Sequence, residues 1–70
     1  MLPNYSQVRV LSAAYRDQGI ESGMLGYIIE VYPDGYEIEI SDAEGNTLAL
    51  GAVRASDVEV NQRAFRIGRY

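Results

Sequence analysis

Residues 23–47 constrain the fold of this chain more than any other stretch, because they contain two strand patterns joined by a clear turn. Residues 36–40 alternate between apolar and charged side chains without exception, and residues 27–32 carry apolar or aromatic side chains at the odd positions. Between them lies Pro33-Asp34-Gly35, in which proline and aspartate suit a type I turn and glycine supplies the positive φ of a bulged hairpin. The sequence therefore predicts a β-hairpin.

The rest of the chain adds three short strands. Residues 7–11 alternate as a first strand, and residues 47–50 form a fourth strand after a second turn at residues 42–45. A tight turn at residues 54–57 leads into a short fifth strand at residues 58–60. Every predicted regular element is thus a strand.

The connections between these strands predict how they assemble. Residues 12–22 have no periodicity and form the longest loop, while the other connections are tight turns. Closure of such short strands on themselves removes exposed sheet edges. We therefore expect residues 1–61 to form a small SH3-like barrel of about five antiparallel strands, all-β in class. Its predicted core consists of the apolar residues assigned to the inner side of each strand: Val8, Val10, Leu25, Tyr27, Ile29, Val31, Ile38, Ile40, Leu48, Leu50, Val58 and Val60.

Length and composition restrict the function. Seventy residues without cysteine or histidine form one small domain that has neither disulfides nor thiolate or imidazole metal ligands, so no metal and no cofactor is expected. Lysine is absent too, which leaves carboxylate, tyrosine and hydroxyl groups for catalysis and favours a protein that is not an enzyme. No basic segment leads into an apolar run, so we expect no signal peptide, no membrane span and a cytoplasmic location.

The charges are unevenly distributed. The net charge is −4, all six basic residues are arginines, and Arg63, Arg66 and Arg69 lie in the last eight positions. The preceding body is acidic and repels phosphate, which disfavours nucleic-acid binding by the barrel.

The glycine spacing, the hairpin and a Ser-Asp pair before the last strand together are similar to a known family. Over about residues 8–60 the chain resembles DUF4926, a family of small bacterial proteins. The resemblance implies an SH3-like or KOW-like barrel and gene pairs arranged like those of toxins and antitoxins. The matching positions are residues 19–32 (GIESGMLGYIIEVY), residues 35–40 (GYEIEI), Asp42, Gly45, Thr47, Ala49, Leu50 and residues 56–58 (SDV).

The acidic side chains of the hairpin are the first candidate binding surface. Glu30, Glu37 and Glu39 are predicted to project from its outer side. One interpretation is a solvated face that keeps the domain soluble and blocks edge pairing. The other is a surface that binds a basic patch on another protein, such as a cognate toxin. The residues assigned to this partner-binding surface are Glu30, Tyr32, Tyr36, Glu37, Glu39 and Asp42.

Residues 62–70 are the second candidate. Arg63, Phe65, Arg66 and Arg69 combine charge with an apolar anchor, which favours contact with a second copy in a homodimer. A KOW-like module would use the same arginines to bind nucleic acid. The alternative without a binding role is an extra strand of the same barrel.

The tyrosines are a third candidate. Tyr5, Tyr15, Tyr32 and Tyr36 are predicted to line an aromatic groove for an extended peptide, or else to pack as ordinary strand residues. The function that the sequence favours is a non-enzymatic protein-protein interaction module, an antitoxin or immunity-like partner. The alternatives are the KOW-like nucleic-acid module and a phage-type inhibitor.

Overall fold

The computed structural model describes residues 2–61, and in this part of the chain the regular structure is almost entirely β. Two single 3₁₀ turns, Arg16–Gln18 and Ala55–Asp57, interrupt the connections. The predictions for residues 62–70 lie outside the described residues. The five strands are β1 (Gln7–Val10), β2 (Leu25–Tyr32), β3 (Gly35–Ser41), β4 (Thr47–Arg54) and β5 (Val58–Val60).

The strands form a single antiparallel sheet in the order β4-β3-β2-β1-β5. In β1, Val8 pairs with Gly26 of β2 on one side and with Val60 of β5 on the other. The two ends of the order, β4 and β5, follow each other in the chain with only the Ala55–Asp57 turn between them. The four Cα–Cα steps from Arg54 to Val58 span at most about 14 Å, so the sheet must curl until its two edges approach each other. The predicted all-β, small barrel-like fold is confirmed.

The β2–β3 hairpin turns through Pro33 and Asp34, because Tyr32 pairs directly with Gly35. The turn lies where the sequence predicts it, but Gly35 is not one of the positive-φ glycines. Its role is close approach instead, since a Cβ atom at this position would collide with the carbonyl oxygen of Val53 on β4. The expected bulge at this glycine is therefore wrong, and the absent side chain serves the packing of β3 against β4.

The core lies on the inner face of the curled sheet, and β3 contributes to it as predicted through Ile38 and Ile40. In β2 the prediction is wrong at both ends of the strand. Leu25 and Tyr27 are exposed while Ile28 is fully buried, and Val31 near the hairpin turn is 37% exposed. Ile29, also predicted for the core, is only partly buried. A bulge after Ile28 shifts the register against β3. One extra residue reverses the side to which all earlier positions point, so a single period of two cannot describe this strand. The buried apolar residues are Val8, Val10, Ile20, Ile28, Tyr36, Ile38, Ile40, Ala49, Val53 and Val58.

In β4 the prediction is wrong as well, because the large residues Leu48 and Leu50 are exposed and the small residue Ala49 is buried. The long loop explains this reversal. Its Ile20 is fully buried and lies against the inner side of β4 at Gly51. Since the isoleucine of the loop fills the volume there, the strand places only small residues at positions 49 and 51 of its inner side.

Candidate functional site

The outer face of the sheet, which is the face opposite the core, carries a group of large apolar side chains that we call the apolar patch. The pairing places Tyr27 beside Glu39 and Glu39 beside Leu50, so these three side chains form a row across β2, β3 and β4 on one face. Leu48 protrudes from the bulge between β3 and β4. The patch consists of Leu25, Tyr27, Leu48 and Leu50, whose side chains are 42%, 45%, 62% and 52% exposed.

The carboxylates Glu30, Glu37 and Glu39 lie on the same face, and we call them the acidic patch. Glu30 is directly opposite Glu37 across the β2–β3 pair. The hydroxyl of Tyr32 donates a hydrogen bond of 3.1 Å to Glu37 Oε1, and the hydroxyl of Thr47 donates to Glu39 Oε2. Within residues 2–61 no ion pair joins these three carboxylates to an arginine. The predicted outward direction of the three glutamates is thus what the structure shows.

The bond to Glu37 affects Tyr32 in turn. It is the main cause that raises the pKa of the Tyr32 hydroxyl above its ordinary value, because an ionised phenol would lose the bond and face a carboxylate. Tyr32 is therefore a neutral hydrogen-bond donor at physiological pH. It lies beside the acidic patch, as the sequence predicts.

Tyr36 does not belong to this surface. Its side chain is 3% exposed, and its hydroxyl accepts a hydrogen bond of 3.1 Å from the Leu2 backbone N–H. Positions 36, 38 and 40 of β3 share the inner face because strand side chains alternate. The prediction that Tyr36 lies beside Tyr32 on the outer side is wrong, since the acidic alternation of β3 itself requires the tyrosine to point inward.

Asp42 has a defined place in the β3–β4 turn. Its Oδ1 accepts the backbone N–H groups of Glu44 and Asn46 at 3.0 and 2.9 Å, and its Oδ2 accepts the Asn46 side-chain amide at 3.2 Å. These bonds, chiefly the one from the Asn46 backbone, hold the pKa of Asp42 below its ordinary value. Gly45, with a φ of 88°, completes the turn. The carboxylate therefore fixes the entry to β4, and a partner contact by Asp42 stays a prediction.

A polar row leads to the apolar patch from the other edge of the sheet. The Asn61 backbone N–H donates 2.9 Å to the Gln7 carbonyl, and the Asn61 side-chain amide donates to Gln7 Oε1. Gln7 Nε2 in turn donates 3.2 Å to the Tyr27 hydroxyl. The last described residue is thus held next to the patch. Arg63, Phe65, Arg66 and Arg69, the predicted homodimer or nucleic-acid contacts, lie outside the described residues.

A cleft of about 280 Å³ lies at the β2–β3 turn, where Tyr32 borders both the cleft and the acidic patch. It is lined by Tyr15 and Tyr32, by Asp34 and Gly35, and by residues 52–54. Of the tyrosines predicted to line a groove, Tyr15 and Tyr32 do so. Tyr36 faces the core, and Tyr5 is not among the lining residues.

Tyr15 is fixed in this cleft by two bonds of its hydroxyl. It donates to the Asp57 carboxylate and accepts the Arg54 backbone N–H at 3.0 Å. Partial burial is the main cause that raises the pKa of Tyr15 above its ordinary value. The ring thereby joins the long loop to the connection between β4 and β5, which is a structural task.

Two kinds of site are not found in the described part of the chain. Among residues 2–61 no group of three or more acidic, cysteine or histidine side chains is placed to hold a metal ion. The same residues contain no helix of the length and hydropathy that crossing a bilayer requires.

The described architecture can be compared with known proteins. The family model "Domain of unknown function (DUF4926)" matches residues 5–60, which is most of the chain. The chain belongs to this family. No curated protein and no solved structure matches it. The family match covers both patches and the cleft of this DUF4926 domain, and it ends at residue 60.

The sequence prediction missed the apolar patch entirely. Its residues were assigned to the core, since large apolar side chains in a strand usually point inward. The available signal is the pattern of residues 48–51, Leu-Ala-Leu-Gly, in which small residues occupy every second position. Such a pattern is equally compatible with a strand whose small side faces a covering loop.

Proposed function

We propose that this DUF4926 domain is a non-enzymatic interaction module that binds another small protein through the outer face of its sheet. The observation that carries the proposal is the apolar patch, because four large apolar side chains on one sheet face remain roughly half exposed. Grouped apolar exposure on a small domain is typical of a surface that a partner covers. The function that fits best is neutralisation of the bound protein, as an antitoxin or immunity protein achieves it.

The acidic patch defines the chemistry of the partner. Glu30 and Glu37 oppose each other directly, and like charges in that position destabilise a strand pair. A basic side chain of the partner placed between them removes this repulsion on binding. The proposed partner therefore presents arginine or lysine next to apolar residues, and arginine and lysine are also the side chains that contact the phosphates of nucleic acids. Covering such a basic surface is a direct way to block a toxin that acts on nucleic acid.

The test is capture of partners by the tagged full-length protein from native lysate, with and without nuclease treatment. Wild type is compared with the double variant Leu48→Ser, Leu50→Ser, which removes apolar surface without changing the charge. The matched control is Tyr5→Ser, because Tyr5 is the most exposed large hydrophobic residue of the described chain and precedes the sheet. We expect one stoichiometric protein with wild type and with the control, and its loss with the double variant.

Three results would contradict the proposal. Equal capture by all three proteins would mean that the partner binds elsewhere. Binding that disappears on nuclease treatment would favour the KOW-like alternative, in which the arginines of residues 62–70 contact nucleic acid. If the captured protein is an enzyme that acts on nucleic acid during phage infection, the result would instead favour the phage-type inhibitor.

A further inference from the structure

The two edges of the described sheet differ in how well they are protected. β5 is three residues long and carries Glu59, which forms an ion pair of 3.3 Å with Arg9 of β1. β4 is eight residues long, and its residues 47–53 contain neither a charged residue nor a proline. β4 and β5 do not pair with each other. Short strands, charges and proline are the usual protection of an edge, so β4 is the unprotected edge of this sheet.

The free edge of β4 presents backbone groups of Leu50 and Ala52. The Arg54 N–H points away from β3, because it donates to the Tyr15 hydroxyl, whereas the Val53 carbonyl points toward β3. Successive residues of a strand direct their N–H and C=O groups to opposite edges. Leu50 and Ala52 therefore direct theirs away from β3, and no hydrogen bond within the described part of the chain reaches these groups.

The long loop leaves most of this edge open. It covers the inner side of β4, where Gln18 and Ile20 lie against Gly51. Within the described residues its only hydrogen bond to the edge is that of the Tyr15 hydroxyl with the Arg54 N–H, at the end of the strand. The rest of the edge can therefore accept another extended chain.

A second copy of β4 fits this edge in the antiparallel direction. The uncharged run, residues 47–53, is centred on Leu50, so antiparallel pairing about Leu50 aligns the run with itself. Leu50 then lies beside its counterpart on the outer face, and Ala52 of each copy lies level with Leu48 of the other. Such an interface uses one surface twice, as a twofold dimer requires.

The charges that flank the uncharged run are complementary in the same arrangement. Arg54 follows the run directly, and its guanidinium forms no ion pair with the described residues. The turn that precedes the run carries Asp42 and the exposed Glu44. Because the two copies run in opposite directions, Arg54 of each lies toward the acidic turn of the other. Glu39 of one copy is three strand spacings, about 14 Å, from that of the other, which exceeds the ~8 Å screening length at physiological ionic strength.

We propose that two copies of this domain pair antiparallel through the free edges of their β4 strands, which joins the two sheets into one. The backbone groups of Leu50 and Ala52 then gain hydrogen-bond partners that one copy alone lacks. This pairing does not cover the outer face. It doubles that face instead, since the apolar patches of the two copies become neighbours across the dimer axis.

Sedimentation equilibrium of the purified full-length protein over a dilution series tests the proposal. We expect a species of twice the chain mass of 7.8 kDa that dissociates on dilution. The decisive variant is Ala52→Pro, which removes one outward N–H per copy, a change that an edge strand tolerates where that N–H faces solvent. Ala52→Ser keeps the N–H and is the control. We expect Ala52→Pro to raise the dissociation constant at least about tenfold and Ala52→Ser to change it less than about twofold.

A second pair of variants keeps the test decisive if proline disturbs folding. Leu50→Lys places two like charges beside each other at the dimer axis, whereas Leu25→Lys places the same charge on the outer face of β2, away from the edge. We expect Leu50→Lys to raise the dissociation constant at least about tenfold and Leu25→Lys to leave it nearly unchanged. Circular dichroism establishes that each variant is folded.

Three results would overturn the proposal. The first is a monomeric mass at every concentration. The second is a dimer that either Ala52→Pro or Leu50→Lys leaves intact while folded, because the interface would then lie away from this edge. The third is equal weakening by Leu25→Lys and Leu50→Lys, which would place the interface on the outer face itself. The sample contains no other protein, so failure of this proposal is distinct from failure of the capture experiment.

Discussion

The acidic patch and the apolar patch share one sheet face, yet they differ in how well the domain alone satisfies them. Glu37 and Glu39 accept hydrogen bonds from the hydroxyls of Tyr32 and Thr47, and exposed carboxylates remain hydrated. The leucines of the apolar patch have no such compensation, since burial of each Å² of apolar surface would stabilise the protein by about 25 cal/mol. The difference teaches that exposed charged groups can be satisfied by hydrogen bonds and water, whereas grouped apolar side chains indicate that something covers them.

Both patches depend on the register of β3, so the largest expected effect is one that removes them together. Replacement Ile38→Asp places a carboxylate at a fully buried position between β2 and β4. We expect a loss of at least ~3 kcal/mol in the free energy of unfolding, enough to unfold so small a domain. Circular dichroism with urea titration measures it. A native spectrum for this variant would mean that the register is wrong.

A second variant tests how much the hydrogen bonds in the cleft contribute to stability, compared with a bond on the outer face. Replacement Tyr15→Phe removes the bonds to Asp57 and to the Arg54 backbone, and we expect a loss of ~1–2 kcal/mol in the free energy of unfolding. Because the folded pKa of Tyr15 is raised, its contribution is present below about pH 10 and is lost as the pH rises through the folded pKa. The alkaline decline in stability should therefore be shallower in the variant.

Tyr27→Phe is the matched control for this experiment, because it removes a single exposed bond to Gln7 on the outer face. Urea titrations across the alkaline range compare the three proteins. If Tyr27→Phe is as destabilised as Tyr15→Phe, the bonds in the cleft have no special structural weight.

A third variant disturbs the end of the sheet next to the apolar patch and leaves the acidic patch in place. Replacement Asp42→Asn weakens the turn that positions Thr47 and Leu48. The folded pKa of Asp42 is lowered, so its stabilising effect is present above the ordinary aspartate range, near pH ~4, and is lost as the pH falls through the folded pKa. As the pH is lowered, the melting temperature of Asp42→Asn should fall less steeply than that of wild type. Glu44→Gln, at an exposed neighbour in the same turn, should leave the fall in melting temperature unchanged. If the melting temperature of Asp42→Asn falls at acidic pH as steeply as that of wild type, this role of the turn is refuted.

The smallest expected effect has the opposite sign. Replacement Glu37→Gln relieves the repulsion from Glu30 and should stabilise the domain by about 0.5 kcal/mol at low salt, with a smaller gain at high salt. The same change should lower the pKa of Tyr32 toward its ordinary value and slow association with a basic partner. Urea titration at two salt concentrations is the measurement, with Glu44→Gln as the control. Destabilisation by Glu37→Gln at low salt would show that the opposed pair carries no strain.

These patches also show where sequence reasoning succeeds. In β3 the alternation is unbroken, so Ile38 and Ile40 are correctly assigned to the core and Glu37 and Glu39 to the outer face. The pairing of β2 with β3 and of β3 with β4 follows from tight turns, which short-range signals such as Pro33-Asp34 predict well.

Sequence reasoning fails where the period or the packing partner changes. A bulge after Ile28 reverses the first half of β2, and nothing in its local sequence requires the bulge. The burial of Ile20 depends on how a loop without periodicity folds back over Gly51. This loop fills the volume that the leucines of β4 were expected to fill, and so the apolar patch becomes visible only in three dimensions.

The central claim is that a protein partner covers the apolar patch, and site-specific photo-crosslinking in the native cell tests it most directly. A photoreactive side chain replaces Leu50 in the full-length protein, and the control replaces Ser56, which is exposed in the 3₁₀ turn before β5. The account predicts one discrete heavier species, containing a second protein, from position 50 and none from position 56. Equal products from both positions, or cross-links from position 50 only within the chain, would contradict it.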